Sequence, residues 1–245
     1  MEFLIAVQFL TKFPITITRP IDEKNIAKAM SYFSLVGLLL GGCSAALRYG
    51  LSYLLPIPVC NLLALAFLIF STGNLHYDGL MDTADGLFSG RPKERILEIM
   101  KDSRVGSNGV TAGALALLLK YVLLSQIPLA GQGIALVLAS ALGRWSQVYG
   151  AAFYKYARST GTGSFTQYVG YWQLFFNSFT VLFAAFFLLH YLSILFLLSI
   201  LAGTAFLQWY VWKKIGGITG DTLGAVHECI EVLSLMVLLI IFTKF

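Results

Sequence analysis

Long apolar runs alternate along this chain with short polar segments. Stretches of about 20 apolar residues, the length that crosses a bilayer's hydrocarbon core as a helix, fall at 30–55, 57–73, 109–126, 132–152, 174–189, 191–212 and 223–243. The fifth is short. The run 174–212 is too long for one helix and is split at His190-Tyr191, its polar interruption. This pattern predicts an all-α fold, a polytopic integral membrane helical bundle of about seven transmembrane helices. Ahead of the first span, Phe3, Leu4, Val7, Leu10 and Phe13 have the spacing of an amphipathic helix lying in the interface. Lys12 and Pro14 interrupt that run and no small-residue cleavage site follows, so it does not read as a signal peptide. Residues 1–245 are read as one membrane-embedded domain, with 1–29 interfacial or cytoplasmic.

Composition agrees with lipid as the solvent. The 245 residues are 58% hydrophobic and 12% charged, half the charge of a soluble domain. The net charge of +5 does not point to nucleic acid, because the bases are dispersed through short loops. Segments 1–29, 74–108, 153–173 and 213–222 carry four, five, two and two Lys or Arg residues, and the alternate connections carry none. Positive residues mark the cytoplasmic side, which places 74–108 and the N-terminus inside a prokaryotic cytoplasmic membrane. Arg48 and Lys120, near the expected outer ends of their spans, are read as snorkelling to the interface. Arg144 lies deeper, where a charge needs a partner or a cavity, and is expected to face the site and to partner Glu228 or Glu231, or a substrate phosphate. Cys43, Cys60 and Cys229 form no C-x-x-C pair and read as packing residues.

The candidate chemistry sits in 74–108, expected to be a cytoplasmic active-site loop. Asp78, Asp82 and Asp85 are spaced i, i+4, i+7, on one face of a helix, with His76 just before them. Like charges so placed repel one another, and no compensating base occurs between Leu75 and Ser89. A divalent cation resolves the repulsion, and hard oxygen ligands suit Mg2+ or Mn2+. Arg91, Lys93, Arg95, Lys101 and Arg104 follow in the same loop, a composition that holds phosphates. Two further cytoplasmic loops point to the same face: the Gly- and hydroxyl-rich 155–164, a weak anion-loop signal, and 213–224, which adds Asp221 as a fourth carboxylate. Residues alone therefore support a membrane-embedded phosphotransfer-type site holding a divalent metal.

The blocks His76-x-Asp78-Gly79-Leu80-x-Asp82-Thr83-Ala84-Asp85-Gly86-Leu87 and Glu98-Ile-Met-Lys101-Asp102-Ser103-Arg104-Val-Gly106 resemble the cobalamin synthase family, the adenosylcobinamide-GDP ribazoletransferases. Gly143-Arg144-Trp145 and Gly216-Gly217-Ile-Thr219-Gly220-Asp221-Thr222-Leu-Gly224-Ala225 look like later blocks of the same family. Asn74 departs from an expected glycine and His227 from a common asparagine. The resemblance implies a transferase that joins adenosylcobinamide-GDP to α-ribazole or its 5′-phosphate and releases GMP with Mg2+. It implies catalytic roles for His76, Asp82, Asp85, Lys101, Arg104 and Arg144. Substrate contacts fall to Arg91, Lys101, Asp102, Ser103, Arg104 and Thr219, and metal ligation to Asp78, Asp82, Asp85 and Asp221. The expected partners are those two substrates and the lipid bilayer, with no nucleic acid; a homo-oligomer is compatible with the sequence.

Two rival readings make different demands. A CDP-alcohol phosphotransferase-like enzyme needs D-G-x-x-A-R-x8-G-x3-D-x3-D spacing, but no Arg follows Ala84 and the third Asp comes too soon. An ion-coupled transporter would carry its ionisable residues near the midplane, often in inverted repeats. Here most lie in loops and no repeat is visible.

Overall fold

The computed structural model describes residues 1–158, 161 and 163–244, and among these it is helical, with one isolated β-bridge. The helices are α1 (Glu2–Leu10), α2 (Glu23–Ala29), α3 (Phe33–Leu51), α4 (Ile57–Ser71), α5 (Leu75–Leu87) and α6 (Lys93–Ile99). They continue with α7 (Ser107–Gln126), α8 (Leu129–Phe153), α9 (Tyr171–Leu189), α10 (Leu192–Ile215) and α11 (Gly220–Lys244). Short 3₁₀ turns occupy Met30–Tyr32 and Ser164–Tyr168.

Every expected apolar segment is helical. Five helical stretches are long and apolar enough to cross a membrane: Glu23–Leu51, α7, α9, α10 and α11. A sixth passes only as α4 and α5 together, and these meet at an 84° bend. The remaining expected span is α8, 25 residues long. Expected from its apolar run at 132–152, it falls short of the apolarity of the other five because it is interior: every residue from Leu138 to Val148 is buried, so it needs no lipid-facing apolar surface. α9 shows the opposite pattern, exposing Phe175, Phe179, Phe183, Phe186 and Phe187 along its length. Such a stripe is tolerable only against lipid or a partner. The break at His190 is real, with the backbone leaving helical geometry at φ 51°.

α8 is the axis against which the rest packs. A β-carbon on Gly37 or Gly41 of α3 would lie 2.6 Å from a carbonyl oxygen of α8, that of Ser140 or Leu136. The two backbones therefore touch through a small-x-x-x-small pair. At the far end of α3, Arg48 is buried rather than snorkelling, correcting the sequence expectation. Its Nε donates to Asn61 Oδ1 at 2.7 Å and its Nη2 donates to Gln132 Oε1. Amide oxygens of α4 and α8 solvate it internally, which is why it need not reach the interface.

Candidate active site

α5 is positioned by its own start. Gly73 and Asn74 both adopt left-handed backbone, at φ 63° and 62°, and together make the sharp turn from α4. Asn is one of the few side chains that tolerates this conformation, so it replaces the expected glycine without loss of the turn. Carrying three aspartates in 13 residues, α5 lies across the end of the bundle rather than continuing the span.

The bend brings α5 against the first turn of α11. A β-carbon on Gly79 would lie 2.7 Å from the Asp221 carbonyl oxygen and 3.0 Å from its Cα. Only glycine at 79 permits this approach, and it sets Asp221 beside the α5 carboxylates despite 139 residues of separation (221 − 82) from Asp82. Burial first, and then the charges of Asp78, Asp221 and Asp85, push the Asp82 carboxyl up from its ordinary 3.8 to about 6. Asp82 thus feels the other three predicted carboxylates; such oxygen donors are of the type a hard divalent cation takes, although among the described residues no three of them bring ligand atoms within 4.8 Å of one another.

Their other bonds differ. Asp78 is exposed. Both oxygens of Asp85 accept backbone N–H bonds, from Gly106 at 2.6 Å and Gly109 at 2.8 Å. Asp85 thereby caps α7, whose own N-cap is a glycine without a side chain; one lone pair on each oxygen remains. Asp221 accepts from Arg158 Nη2 at 2.9 Å. Arg158 is carried there by the bridge between Tyr156 and Ile218, in which Ala157 N donates to Ile218 O at 2.8 Å and Ile218 N to Lys155 O at 2.9 Å. The expected anion loop 155–164 includes Ser159, Thr160 and Thr162, which lie outside the described residues.

The substrate-contact set divides. Arg104 and Asp102 line a shallow cavity of about 230 Å³ with Asp85. Arg104 grips Asp102 through Nε and Nη2 at 3.0 and 2.7 Å, and these bonds hold the Asp102 carboxyl down near about 2. Arg91, Lys101 and Ser103 are exposed. Thr219 departs from expectation: it is fully buried, and its Oγ1 accepts from Thr222 N at 3.2 Å while Thr222 Oγ1 accepts from Thr219 N at 2.8 Å. This reciprocal cap starts α11, so Thr219 holds Asp221 in place and does not meet a substrate.

Behind the aspartates lies a second polar cluster that sequence reasoning placed wrongly. Lys120 does not snorkel; its Nζ lies 2.5 Å from both Glu228 Oε2 and Glu231 Oε2. Arg144 is buried beside them, but its Nη1 donates to Ser140 O at 2.9 Å instead of pairing with Glu228. His227 Nε2 lies 3.0 Å from Glu231 Oε1, and its ring stacks on His76 with centroids 3.8 Å apart at 18°. The enclosed space among these groups is about 20 Å³, enough for one water.

His76, His227 and Glu228 offer ligand atoms within 4.8 Å of one another. A metal fits them poorly. Imidazole lone pairs lie in the ring plane, so stacked rings cannot aim at one ion, and Lys120 and Arg144 already balance the two glutamates. The cluster joins α5, α7, α8 and α11; the signal for it was the pair of acids one and two turns into the last span.

The cavity that matters opens beside Asp78 and Asp221. It measures about 360 Å³ and reaches from those carboxylates, past His76 and Gln147, to an apolar wall on α1 and the start of α3. Fold and site together define a polytopic helical membrane protein with two carboxylates, Asp78 and Asp221, at the mouth of an apolar cavity and Asp82 and Asp85 on the same short helix beside it. The chain matches the cobalamin-5-phosphate synthase family over residues 2–239, and it belongs to that family. Similar proteins named adenosylcobinamide-GDP ribazoletransferase occur in Desulforamulus reducens, at 43% identity over 93% of this chain and 91% of that protein, and in Alkaliphilus metalliredigens, at 39% over 98% and 95%. Another, from Caldanaerobacter subterraneus, is 38% identical over 94% of each chain. No solved structure matches.

Proposed function

We propose that this chain, working as one catalytic unit, joins adenosylcobinamide-GDP to α-ribazole or its 5′-phosphate, giving adenosylcobalamin or its 5′-phosphate and GMP. The observation that carries the reading is the pairing of Asp78 and Asp221 at the mouth of a cavity of nucleoside size, with Asp82 near enough to feel the charge of both. In the reaction a ribose hydroxyl oxygen bonds to the phosphorus that carries the cobinamide arm. The bond from that phosphorus to the bridging oxygen breaks, and GMP leaves with the electron pair.

Asp78, Asp82 and Asp221 would hold Mg2+, with Asp85 completing the carboxylate field. When bound, the ion neutralises pyrophosphate charge and stabilises the departing GMP. The side chains do the rest. Arg104, on the cavity that also contains Asp85, offers a fork to phosphate oxygens. Arg158 stands at Asp221 and can exchange a carboxylate for a phosphate as substrate enters. His76 is buried at the cavity wall with its Nε2 unpartnered, and that atom takes the hydroxyl proton. Asp85, committed to the α7 cap, orients the helix instead.

The Lys and Arg distribution supports a prokaryotic cytoplasmic membrane with the aspartate end facing the cytoplasm. The test is purified protein in liposomes, given both substrates with and without Mg2+, with GMP and corrinoid product separated by chromatography. Stoichiometric GMP and product, abolished by chelation, is expected. GMP release that does not require the riboside, or none at all, would refute the reading.

A further inference from the structure

The cavity beside Asp78 and Asp221 is apolar where it leaves the carboxylates. Its far wall is Phe9 and Leu10 of α1, Met30 and Phe33 at the head of α3, and Phe165. Three of these form a ring cage: Phe9 stacks on Phe33 at 5.9 Å and 20°, and meets Phe165 edge-on at 5.3 Å and 82°. A phosphorylated, metal-bound ligand has no use for such a wall. The polar side adds a second observation. Gln147 is 6% exposed, yet its Oε1 has no hydrogen-bond partner, and it lines this cavity together with His76, whose Nε2 is also unpartnered. Buried amide oxygens are rarely left unpaired without a ligand or water to meet them. Gln147 Oε1 can only accept, so what it lacks is a donor, and His76 Nε2 takes the same role in the tautomer protonated at Nδ1.

We propose that this cavity is the acceptor subsite: the aromatic base of the riboside enters the Phe9–Phe33–Phe165 cage, and its ribose hydroxyls donate to Gln147 Oε1 and His76 Nε2. The assignment rests on the proposed function and adds the place and chemistry of the second substrate. Ribazole, a dimethylbenzimidazole riboside, has a planar base without an N–H donor, which suits an apolar cage. Its hydroxyls are the donors the two orphan acceptors require. The volume sits at the low end of the range for ligand pockets, roughly 300–1,000 Å³. That admits a nucleoside and excludes the corrinoid, which therefore approaches from outside the aspartates. The geometry is consistent with attack. A hydroxyl held at His76 faces Asp78 and Asp221, where the pyrophosphate would lie, and its proton passes to His76 as the new phosphorus–oxygen bond forms.

Phe9 is 37% exposed at the cavity rim, so Phe9→Ala should fold. Initial rates of the full-length enzyme in liposomes would be measured against α-ribazole at saturating adenosylcobinamide-GDP, and then the reverse. Phe9→Ala is expected to raise the KM for α-ribazole roughly threefold to tenfold, the size of a lost aromatic contact, with the donor KM unchanged. Gln147→Met keeps length and removes the unpaired oxygen. It should raise the acceptor KM by a similar factor while its thermal unfolding temperature stays the same or rises. A merely structural Gln147 would lose stability and affect both substrates alike. Ribose 5-phosphate, with hydroxyls but no base, should fail to compete with α-ribazole 5′-phosphate. An active parent whose two variants keep the parental acceptor KM, or effective competition by ribose 5-phosphate, overturns the subsite and leaves the reaction standing. A parent that joins nothing overturns the reaction on which the subsite rests.

Discussion

Replacing Asp82 by Asn should stabilise the metal-free protein and cripple the enzyme. Asn keeps the shape of the side chain and removes one charge from a group of four. Asp82 titrates near about 6 in place of 3.8 because it is partly buried and faces Asp78, Asp221 and Asp85. At 1.36 kcal/mol per pH unit, the full cost of ionising it in the folded chain would be about 3 kcal/mol; the side chain is partly open to solvent, and screening reduces this to about 1 kcal/mol. A carboxyl whose folded-state value is raised costs nothing when both states are protonated. The cost develops as pH rises past 3.8 and is complete above about 6. The variant should therefore match the parent near pH 4 and unfold about 2–4 °C higher at pH 7. Turnover should fall by about 10²–10³, the loss seen when one electrostatic group of a transition state is removed.

Thermal unfolding in chelator across pH 4–7, paired with GMP release at saturating Mg2+, decides the matter. Parental turnover at parental stability would mean Asp82 is a solvated surface acid. Lost turnover with a lower unfolding temperature would mean that it is a structural hydrogen-bond partner. Either result refutes the reasoning, which requires stability and activity to move in opposite directions.

Other perturbations probe the scaffold. Gly79→Ala forces α5 away from the Asp221 backbone and should cost about 10² in turnover, as misplacement near 1 Å does, in a protein that still folds; parental rates would remove Gly79 from the site's construction. Lys120→Met leaves Glu228 and Glu231 without their buried cation and should cost about 3–5 kcal/mol, read as a lower unfolding temperature, with an unchanged midpoint counting against the pair. Ser89→Cys in sealed cells should react only with a permeant thiol reagent, and ready labelling by an impermeant one would reverse the orientation.

Much of this was legible because it depends on local periodicity and on charges that stay where the chain puts them. The i, i+4, i+7 aspartates had to share a face once α5 was helical, and His190 marked a break that no apolar residue could hide. What the sequence concealed was pairing between distant segments. Lys120 and Arg48 looked like snorkelling residues because each falls late in its own span, and nothing local reveals that α11 presents two acids to one and that α4 and α8 present amides to the other. Thr219 resembled a ligand contact since it borders Asp221; the reciprocal bonds with Thr222 that bury it are a property of the helix start. Gln147 gave no signal beyond being a polar residue in an apolar run. α8 was legible as the apolar run 132–152, although it falls short of the other spans in apolarity because its residues from Leu138 to Val148 face protein and not lipid.

The buried charges gain a purpose from their distance to the aspartates along α11. Glu228 and Glu231 lie seven and ten residues beyond Asp221 (228 − 221; 231 − 221), so the ion pairs and the carboxylate site ride on one rigid rod. Sliding α11 by a turn would move Asp221 about 5.4 Å relative to α5 and would also pull both glutamates off Lys120. Apolar contacts alone resist such a slip weakly, because lipid-like side chains pack almost as well one turn over, whereas an unpaired charge in that position is heavily penalised. The stacked imidazoles of His76 and His227 tie α11 to α5 as the ion pairs tie it to α7. On this argument the cluster is a register lock more than a source of stability. Exchanging Lys120 and Glu228 together for Met and Leu leaves Glu231 to balance the buried Arg144, and should leave the unfolding temperature near that of the parent while turnover falls. A double variant that keeps parental turnover would show that α11 holds its register without the Lys120 ion pairs.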